Sequence, residues 1–497
     1  MPGAGFDCDV LVVGLGPVGA TLAGLLTQGG IRTMALDKDV EVYPLPRAAH
    51  FDHEIMRLFQ QLGIAEAVLE HARPVPPYEF RTADGQVLMR FDFGQGSPSG
   101  WAAGYMFNQP GIEHALRAKL AESAFAEIRL GWRFEGLTQD DTAVEAVIAG
   151  LHGRQTIRAR YVIGCDGARS LVRDALGVTL ADCRFDEPWL VIDAILRPGA
   201  KMPAVNLQIC DPARPVTCVQ MGPGRHRWEF MLLPGETAEQ VLDDGFIRSL
   251  LAGWDCAAGV EIDRKAVYRF HGLVAETWLV GRVLLAGDSA HQMPPFAGQG
   301  MCSGLRDAAN LARKLKAVLK ADAGASLLDS YQPEREPHVR AYIELAIGMG
   351  RVVCLLDRTA AAARDAAMLA QRAAGKAGLP ALSPPALTAG CILPGSPGAG
   401  TLFPQPWAMT DGGPLRLDDV LGDGAWLITR AMVDTATAPL LLTFATLADP
   451  ALAPFRAAIE GWLDQRHAAS VLVRPDRYVF GTGAPEALLE AFAVAIR

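Results

Sequence analysis

The pattern of apolar and polar positions begins with a short continuous run, Val10-Leu11-Val12-Val13, three of its residues β-branched. Such a run predicts a strand buried on both faces of a parallel sheet. Gly14-Leu15-Gly16-Pro17-Val18-Gly19 follows at once, then an apolar helical stretch from Ala20 to Gln28 that Gly29-Gly30 stops, then a strand from Ile31 to Leu36 closed by Asp37. Together these predict a βαβ unit. Tyr161-Val162-Ile163 and Arg282-Val283-Leu284-Leu285-Ala286 repeat the buried-strand pattern, each followed by glycine and aspartate. Between them, from about Asp182 to Tyr268, β-rich pieces (Trp189 to Leu196, Val205 to Cys210, Val216 to Met221, Arg227 to Leu233) alternate with Pro/Gly turns and predict an inserted antiparallel sheet. Helix is expected from Gly300 through Ala321 and from about Pro333 to Ala374. Pro380, Pro384, Pro385, Pro394 and Pro397 then crowd together as in a linker. Beyond Leu402, short strands (Ala425 to Thr429, Leu440 to Thr443, Ser470 to Val473) alternate with helical pieces as in a small α/β domain. No internal repeat or low-complexity tract interrupts this order.

Length adds scale: 497 residues correspond to roughly three domains. The expected division is a dinucleotide-binding part over 1–181, a β-sheet insertion over 182–275, the second dinucleotide-binding part with helices over 276–378, a Pro-rich linker over 379–401 and the C-terminal domain over 402–497. A formal charge of -9 without a basic stripe argues against nucleic acid as a partner. Nine cysteines are scattered singly, without CxxC or metal-ligand spacing, so neither a disulfide framework nor a metal site is expected. A reducing cytoplasm fits that usage. The first residues lack a basic n-region, and the first apolar run is broken by glycines, so neither a signal peptide nor a membrane span is expected.

Three segments carry candidate chemistry. In Gly14-Leu15-Gly16-Pro17-Val18-Gly19 the first glycine permits a tight turn, the second lets a pyrophosphate approach the backbone, and the third permits close packing of helix on strand. Asp37 stands where an acid would bind a ribose hydroxyl. The bland alternative, an ordinary Gly-rich turn, does not account for the whole strand-helix-strand-acid order. Gly287-Asp288-Ser289-Ala290-His291, followed by Met293-Pro294-Pro295-Phe296-Ala297-Gly298-Gln299-Gly300 and a helix, offers an acid for polyol hydroxyls and backbone N–H groups for developing negative charge. Gly164-Cys165-Asp166-Gly167-Ala168-Arg169-Ser170 is a third constellation, whose bland alternative is an Asp-Gly turn.

In this order and spacing, over roughly residues 7 to 375, the three motifs resemble the class A flavoprotein aromatic hydroxylases, the para-hydroxybenzoate hydroxylase-like family. Tyr43-Pro44-Leu45-Pro46-Arg47-Ala48-Ala49-His50-Phe51-Asp52-His53-Glu54 and Pro294 to Met301 resemble most its 3-(3-hydroxyphenyl)propionate hydroxylase branch. The resemblance implies an α/β fold: a Rossmann-like FAD-binding domain, an inserted antiparallel substrate sheet and a small C-terminal thioredoxin-like domain. It implies FAD as cofactor, NADPH or NADH as co-substrate, dioxygen as oxidant and an aromatic small molecule as substrate. Residue by residue, it suggests that Gly14, Gly16 and Gly19 cradle the pyrophosphate and that Asp37 binds the adenosine ribose. Asp288 would contact the ribityl side, and Asp166 with Arg169 would serve FAD and nicotinamide. Arg47 and Gln109 would lie beside the flavin, and Pro295, Gly298, Gly300 and Met301 would form the loop before the flavin-facing helix. Cys302 stands where many members of the branch have Asn, a departure beside the flavin or the substrate pocket.

The implied route is reduction of FAD, reaction with oxygen to a C4a-hydroperoxide, and transfer of the distal oxygen to an activated ring. A phenol attacks better as phenolate, so a base near its hydroxyl helps. His50 is the candidate, with Asp52 and His53 as competitors, Arg47 as a further catalytic candidate, and a structural histidine as the bland alternative. Gln208, Cys210, Gln220 and Met221 are the candidate substrate contacts on the inserted strands. The C-terminal part has no CxxC and so cannot run dithiol exchange. A structural or dimer-supporting role is expected of it, which makes a homodimer one expected assembly. The rival reading in the same fold is a tailoring oxygenase (hydroxylation, epoxidation or Baeyer-Villiger) for a polycyclic or polyketide-like substrate. A halogenase is disfavoured by the absence of WxWxI. From another class, a flavin-binding sensor or scaffold would differ by showing no phenol-stimulated oxidation of NAD(P)H.

Overall fold

The computed structural model describes residues 5–94, 96–255, 259–321, 323–376, 385–430 and 442–497. Strand Cys8–Val13 lies within an eight-stranded sheet, with Thr33–Asp37 and then Ala126–Leu130 on one side and Gly153–Gly164 and then Val283–Leu285 on the other. These five strands run parallel. Val10, Leu11 and Val12 have no exposed surface, as expected of a strand covered on both faces. Helices Pro17–Gln28, Gln109–Ala121 and Gly300–Lys320 pack side by side. Their closest approach is at Gly304, where an added Cβ would come within 2.6 Å of Val18. The long strand Gly153–Gly164 also continues into an antiparallel meander with Val144–Gly150 and Arg133–Gln139.

The second sheet is wider than the expected insertion. Its order is His291–Gln292, Val260–Ala275, Leu180–Leu196, Arg225–Met231, Val216–Gln220, Asn206–Ile209, Tyr78–Arg81, Val87–Phe91. The last two strands come from the first part of the chain. They are short and carry Glu79, Arg81 and Arg90, which hides the apolar alternation; in the fold those charges pair with one another. Tyr78–Arg81 adds in parallel to Asn206–Ile209, which would otherwise be an open edge. One face of the sheet is apolar: Leu190, Ile192, Leu207, Cys218, Trp228 and Phe230 pack with Ile247 and Leu251 of helix Asp244–Leu251. The alternate positions Asp193, Gln208, Thr217, Arg227 and Glu229 are also buried. A small sheet of His50–Asp52, Gly104–Phe107 and Ala72–Pro74 completes the first unit.

Helix Gly300–Lys320 matches the expected stretch, whereas the stretch expected from Pro333 to Ala374 is two helices, Tyr331–Val353 and Arg358–Ala373. Asp357 starts the second by accepting the Ala360 N–H at 2.8 Å. In the C-terminal part, strands Leu442–Thr446, Ala425–Thr429, Ser470–Val473 and Val479–Gly483 form a sheet in that order, the first pair parallel and the others antiparallel. With helices Arg456–Asp464 and Pro485–Ala495 this is a thioredoxin-like arrangement. Leu440 and Leu441 of the expected strand lie outside the described residues, as do Pro380 and Pro384. Residues 385–401 are built into this unit: Leu387 N–H donates to Gly400 O at 2.8 Å and Leu393 N–H to Phe480 O at 2.7 Å. Among the described residues no helix is long and apolar enough to cross a membrane.

Candidate active site

The turn after strand Cys8–Val13 is shaped by contacts that exclude side chains. Gly14 has φ +97°, and a Cβ there would sit 2.4 Å from Cys165 O; a Cβ on Gly19 would sit 1.9 Å from Gly14 O. Gly16 differs, for nothing lies within 4 Å of its Cβ position. It caps helix Pro17–Gln28, whose first N–H groups receive no side-chain cap. An open approach to a helix N-terminus is a site for phosphate. At the end of the next strand, Asp37 Oδ2 accepts the Leu15 N–H at 2.9 Å and lies 3.4 Å from Arg117.

The second edge of the cleft is the segment after Ala286. Buried Asp307 accepts the Gly287 N–H at 3.1 Å and pairs with His291 Nε2 at 2.7 Å and Arg335 at 2.8 Å. With Asp307 taking these contacts, the neighbouring Asp288 is left exposed, and protein packed around it desolvates its carboxyl. That environment raises its carboxyl above the ordinary range, with His291 and Arg47 pulling the other way. The turn Pro295–Ala297 ends at Gly298 (φ +62°), and Phe296 is anchored among Phe185, Trp189 and Phe270. Pro295 is exposed, and Gly300 and Met301 are half-buried. Helix Gly300–Lys320 then begins at Gln299 without a side-chain cap, a second unblocked N-terminus.

Arg47 is pinned through its backbone from two sides. Gln109 Oε1 accepts the N–H groups of Arg47 (3.0 Å) and Ala48 (2.7 Å), while Arg227 donates to Pro46 O at 2.7 Å and Arg47 O at 2.8 Å. Arg227 is itself fixed by buried Asp193 at 2.6 Å. The guanidinium of Arg47 remains exposed, 5.0 Å from the Tyr43 ring. His50 Nδ1 faces Gly298 O at 3.3 Å. With the proton on that nitrogen, Nε2 is the acceptor. Burial lowers the pKa of His50, more than Asp52 and Gly298 raise it, so the ring is kept neutral.

Asp52 and His53 are committed elsewhere. Asp52 caps helix His53–Gln61 and pairs with Arg306 at 2.5 Å; burial pushes its carboxyl up, but Arg306 outweighs this and holds it at about 2. A carboxylate so held is a poor proton acceptor at neutral pH. His53 Nδ1 meets Ser99 Oγ at 2.9 Å. Asp166 is engaged by Ser170 and the Val172 N–H of its own loop and by Ser289 of the segment after Ala286. Arg169 is exposed. Of the candidate substrate contacts, Gln208 is fully buried and accepts from Tyr78 (3.0 Å) and Thr217 (2.9 Å). Cys210 and Met221 are buried. Strand alternation puts Gln220 on the face of Cys218, away from Gln208 and Thr217, and its amide donates to Pro203 O at 2.7 Å. Cys302 is buried, its thiol pushed up by desolvation and lying 3.9 Å from His50 O.

The family described as FAD binding domain matches residues 7–346. A probable NADH-specific resorcinol 4-hydroxylase of Rhodococcus jostii (strain RHA1) is 38% identical over 99% of this chain and 95% of its own. The chain belongs to the FAD-dependent aromatic hydroxylases. A 3-(3-hydroxy-phenyl)propionate/3-hydroxycinnamic acid hydroxylase of Mycobacterium sp. (strain JLS) is 35% identical over 98% of this chain and 92% of its own. The crystal structure of aklavinone-11 hydroxylase with FAD and aklavinone shares the fold, with a TM-score of 0.80 and 24% identity over 99% of both chains. The residues present fit FAD: the open side of Gly16, the two uncapped helix N-termini and the accessible Asp288 lie where a dinucleotide needs space and donors.

Sequence reading missed the residues that hold this frame. Arg306 and Asp307 lie in the buried part of helix Gly300–Lys320, and Asp193 and Arg227 in buried strands. Charged residues inside otherwise apolar stretches were the available signal, because such groups are buried only with partners.

Proposed function

We propose that the chain hydroxylates a phenolic ring, with FAD held along Gly14–Gly19, Asp288 and the Pro295–Gly300 loop, and with NADH or NADPH and dioxygen as co-substrates. The observation that carries this reading is the gathering of exposed Asp288 and Arg47, close enough for their charges to interact, and of His50 against Gly298 O, around the segment that leads into the uncapped helix Gly300–Lys320. Bound FAD would supply the electrophilic oxygen. The chain's residues do the rest. Gly16 and the N-terminus of helix Pro17–Gln28 hold the pyrophosphate, and N–H groups at Gly300 stabilise negative charge on the ring end of the cofactor. Gln109 and Arg227 position Arg47. His50, kept neutral, takes the phenol proton at Nε2 and raises the nucleophilicity of the ring. Phe185, Trp189, Phe270 and Phe296 form an apolar cluster that helps exclude water behind the loop.

The described cysteines form no disulfide with one another, a usage in keeping with a reducing cytoplasm as the working compartment. The test follows oxidation of NADH and NADPH, oxygen uptake and hydroxylated product together, with resorcinol and 3-(3-hydroxyphenyl)propionate as first probes. Phenol-stimulated oxidation coupled to product is expected. Bound FAD without stimulation by any simple phenol would favour a polycyclic substrate, and a protein that takes up no FAD would overturn the reading.

A further inference from the structure

Between strands Ser470–Val473 and Val479–Gly483 the chain makes a tight turn, Arg474-Pro475-Asp476-Arg477-Tyr478. Arg477 has φ +67°, in the left-handed region that side chains rarely adopt. The turn is closed by Arg474 N–H on Tyr478 O (2.8 Å) and Arg477 N–H on Arg474 O (2.9 Å). Arg474, Arg477 and Tyr478 are buried, as is the side chain of Asp476, and each reaches polar groups beyond the turn. Arg474 pairs with Glu334 at 2.7 Å and Asp476 with Arg313 at 2.8 Å. Arg477 meets Asp418, which also binds Arg57. Tyr478 donates to Glu54 Oε1 at 2.9 Å.

The contacts of Arg474, Asp476 and Tyr478 converge on one helix. Glu54 Oε2 accepts from Arg306 at 2.6 Å, and Asp476 also accepts from Asn310 at 3.4 Å. Arg306, Asn310 and Arg313 stand at i, i+4 and i+7 of helix Gly300–Lys320, a single stripe. Arg306 reaches back to Gln299 Oε1 at 3.0 Å, the residue that begins this helix at the cleft. It also holds Asp52, in the strand of His50.

We infer that the Arg474–Tyr478 turn is a positioning device. It fixes the axial place of helix Gly300–Lys320, and through Tyr478, Glu54 and Arg306 it sets the Gly298–Gly300 loop and the strand bearing His50. The C-terminal domain thus supplies Tyr478 as a positioning residue for the cofactor loop. The inference rests on the flavin reading only where FAD binding is the readout.

The test compares the full-length protein with Tyr478→Phe and with Arg416→Lys. The native Arg416 guanidinium lies 3.5 Å from the Trp101 ring and donates to Gly100 O at 3.1 Å, an interface contact that does not touch the helix. Amide hydrogen exchange over residues 294–306 is expected to quicken about three- to tenfold in Tyr478→Phe and to keep the wild-type rate in Arg416→Lys. The FAD dissociation constant is expected to rise by a similar factor in the first variant, with a shifted flavin absorbance band. Asp476→Asn, which weakens the hold on Arg313, is expected to loosen the same segment and covers the case in which Tyr478→Phe does not fold. Unchanged exchange at 294–306, or an equal rise in Arg416→Lys, overturns the inference. If the wild type takes up no FAD, the flavin reading fails, and the exchange comparison still decides this one.

Discussion

The glycine cradle and the Arg474–Tyr478 turn both hold polypeptide in close contact, but by opposite means. At Gly14, Gly16 and Gly19 side chains are absent, the second glycine faces open space and a helix N-terminus has no cap. At the turn, buried charges are matched by counter-charges: Arg474 and Arg313 by Glu334 and Asp476, Arg477 and Arg57 by Asp418. A region prepared for a ligand leaves donors and space unfilled, while a region prepared for its own chain fills them. That contrast separates binding from docking without a ligand in view.

The largest effect is expected where docking is broken. Glu334→Ala leaves Arg313, Lys314 and Arg474 without their shared carboxylate, and a loss of about 3–5 kcal/mol is expected on urea unfolding. A loss below about 1 kcal/mol would show that these charges are not coupled as a buried cluster. His50→Gln is expected to slow hydroxylation roughly a hundredfold with FAD retained, flattening the acid limb of the rate profile. An unaltered profile would remove His50 as the base. Gly16→Ala should leave the melting temperature within about 2 °C of wild type, because the space is open. FAD affinity should nevertheless fall about tenfold or more, since the methyl enters the path of the pyrophosphate. Equal affinity would mean that the open side of Gly16 is not the phosphate approach.

The effect of acid is the most gradual, smallest per pH unit and accumulating only as the pH falls. His226 is held down at about 3 by burial first and by Arg73 second, and burial also lowers His53. The unfolded chain takes up protons near 6.5 while these rings in the fold do not, so stability is complete above about pH 6.5 and falls as pH drops toward 3. For a ring kept fully neutral the slope is at most about 1.4 kcal/mol per pH unit. Asp52, held at about 2, adds a loss in the same direction between its unfolded value of 3.8 and 2. Melting curves at successive pH values check this, and a stability rising on acidification would contradict the burial of these groups.

The cradle was legible in the sequence because its chemistry is local: Gly14, Gly16, Gly19 and Asp37 come from one strand-helix-strand unit, and Gly287 to Gly300 from one segment. Four of the five parallel strands were legible for the same reason; Ala126–Leu130, half-buried and carrying Glu127 and Arg129, was not. Tyr78–Arg81 was not, although Tyr78 and Phe80 alternate with Glu79 and Arg81; four residues are the shortest span on which alternation signals a strand, and the sheet it joins depends on a partner far along the chain. Asp52 was read as a competing base and Asp166 as a cofactor contact; their partners Arg306 and Ser289 lie far along the chain, and only the fold shows the carboxylates already engaged. The side of the sheet on which Gln220 falls depends on register, which periodicity alone leaves open.

The Tyr478 to Glu54 contact joins residues 424 positions apart. During synthesis the residues of the cradle leave the ribosome early, whereas the clamp on helix Gly300–Lys320 cannot close until Tyr478 has emerged. Closing so long a loop carries a large entropic cost before any contact rewards it. The nascent chain can therefore build its parallel sheet long before the Gly298–Gly300 loop is set. Setting that loop becomes a late checkpoint, passed only by chains translated through the final hairpin of the C-terminal sheet.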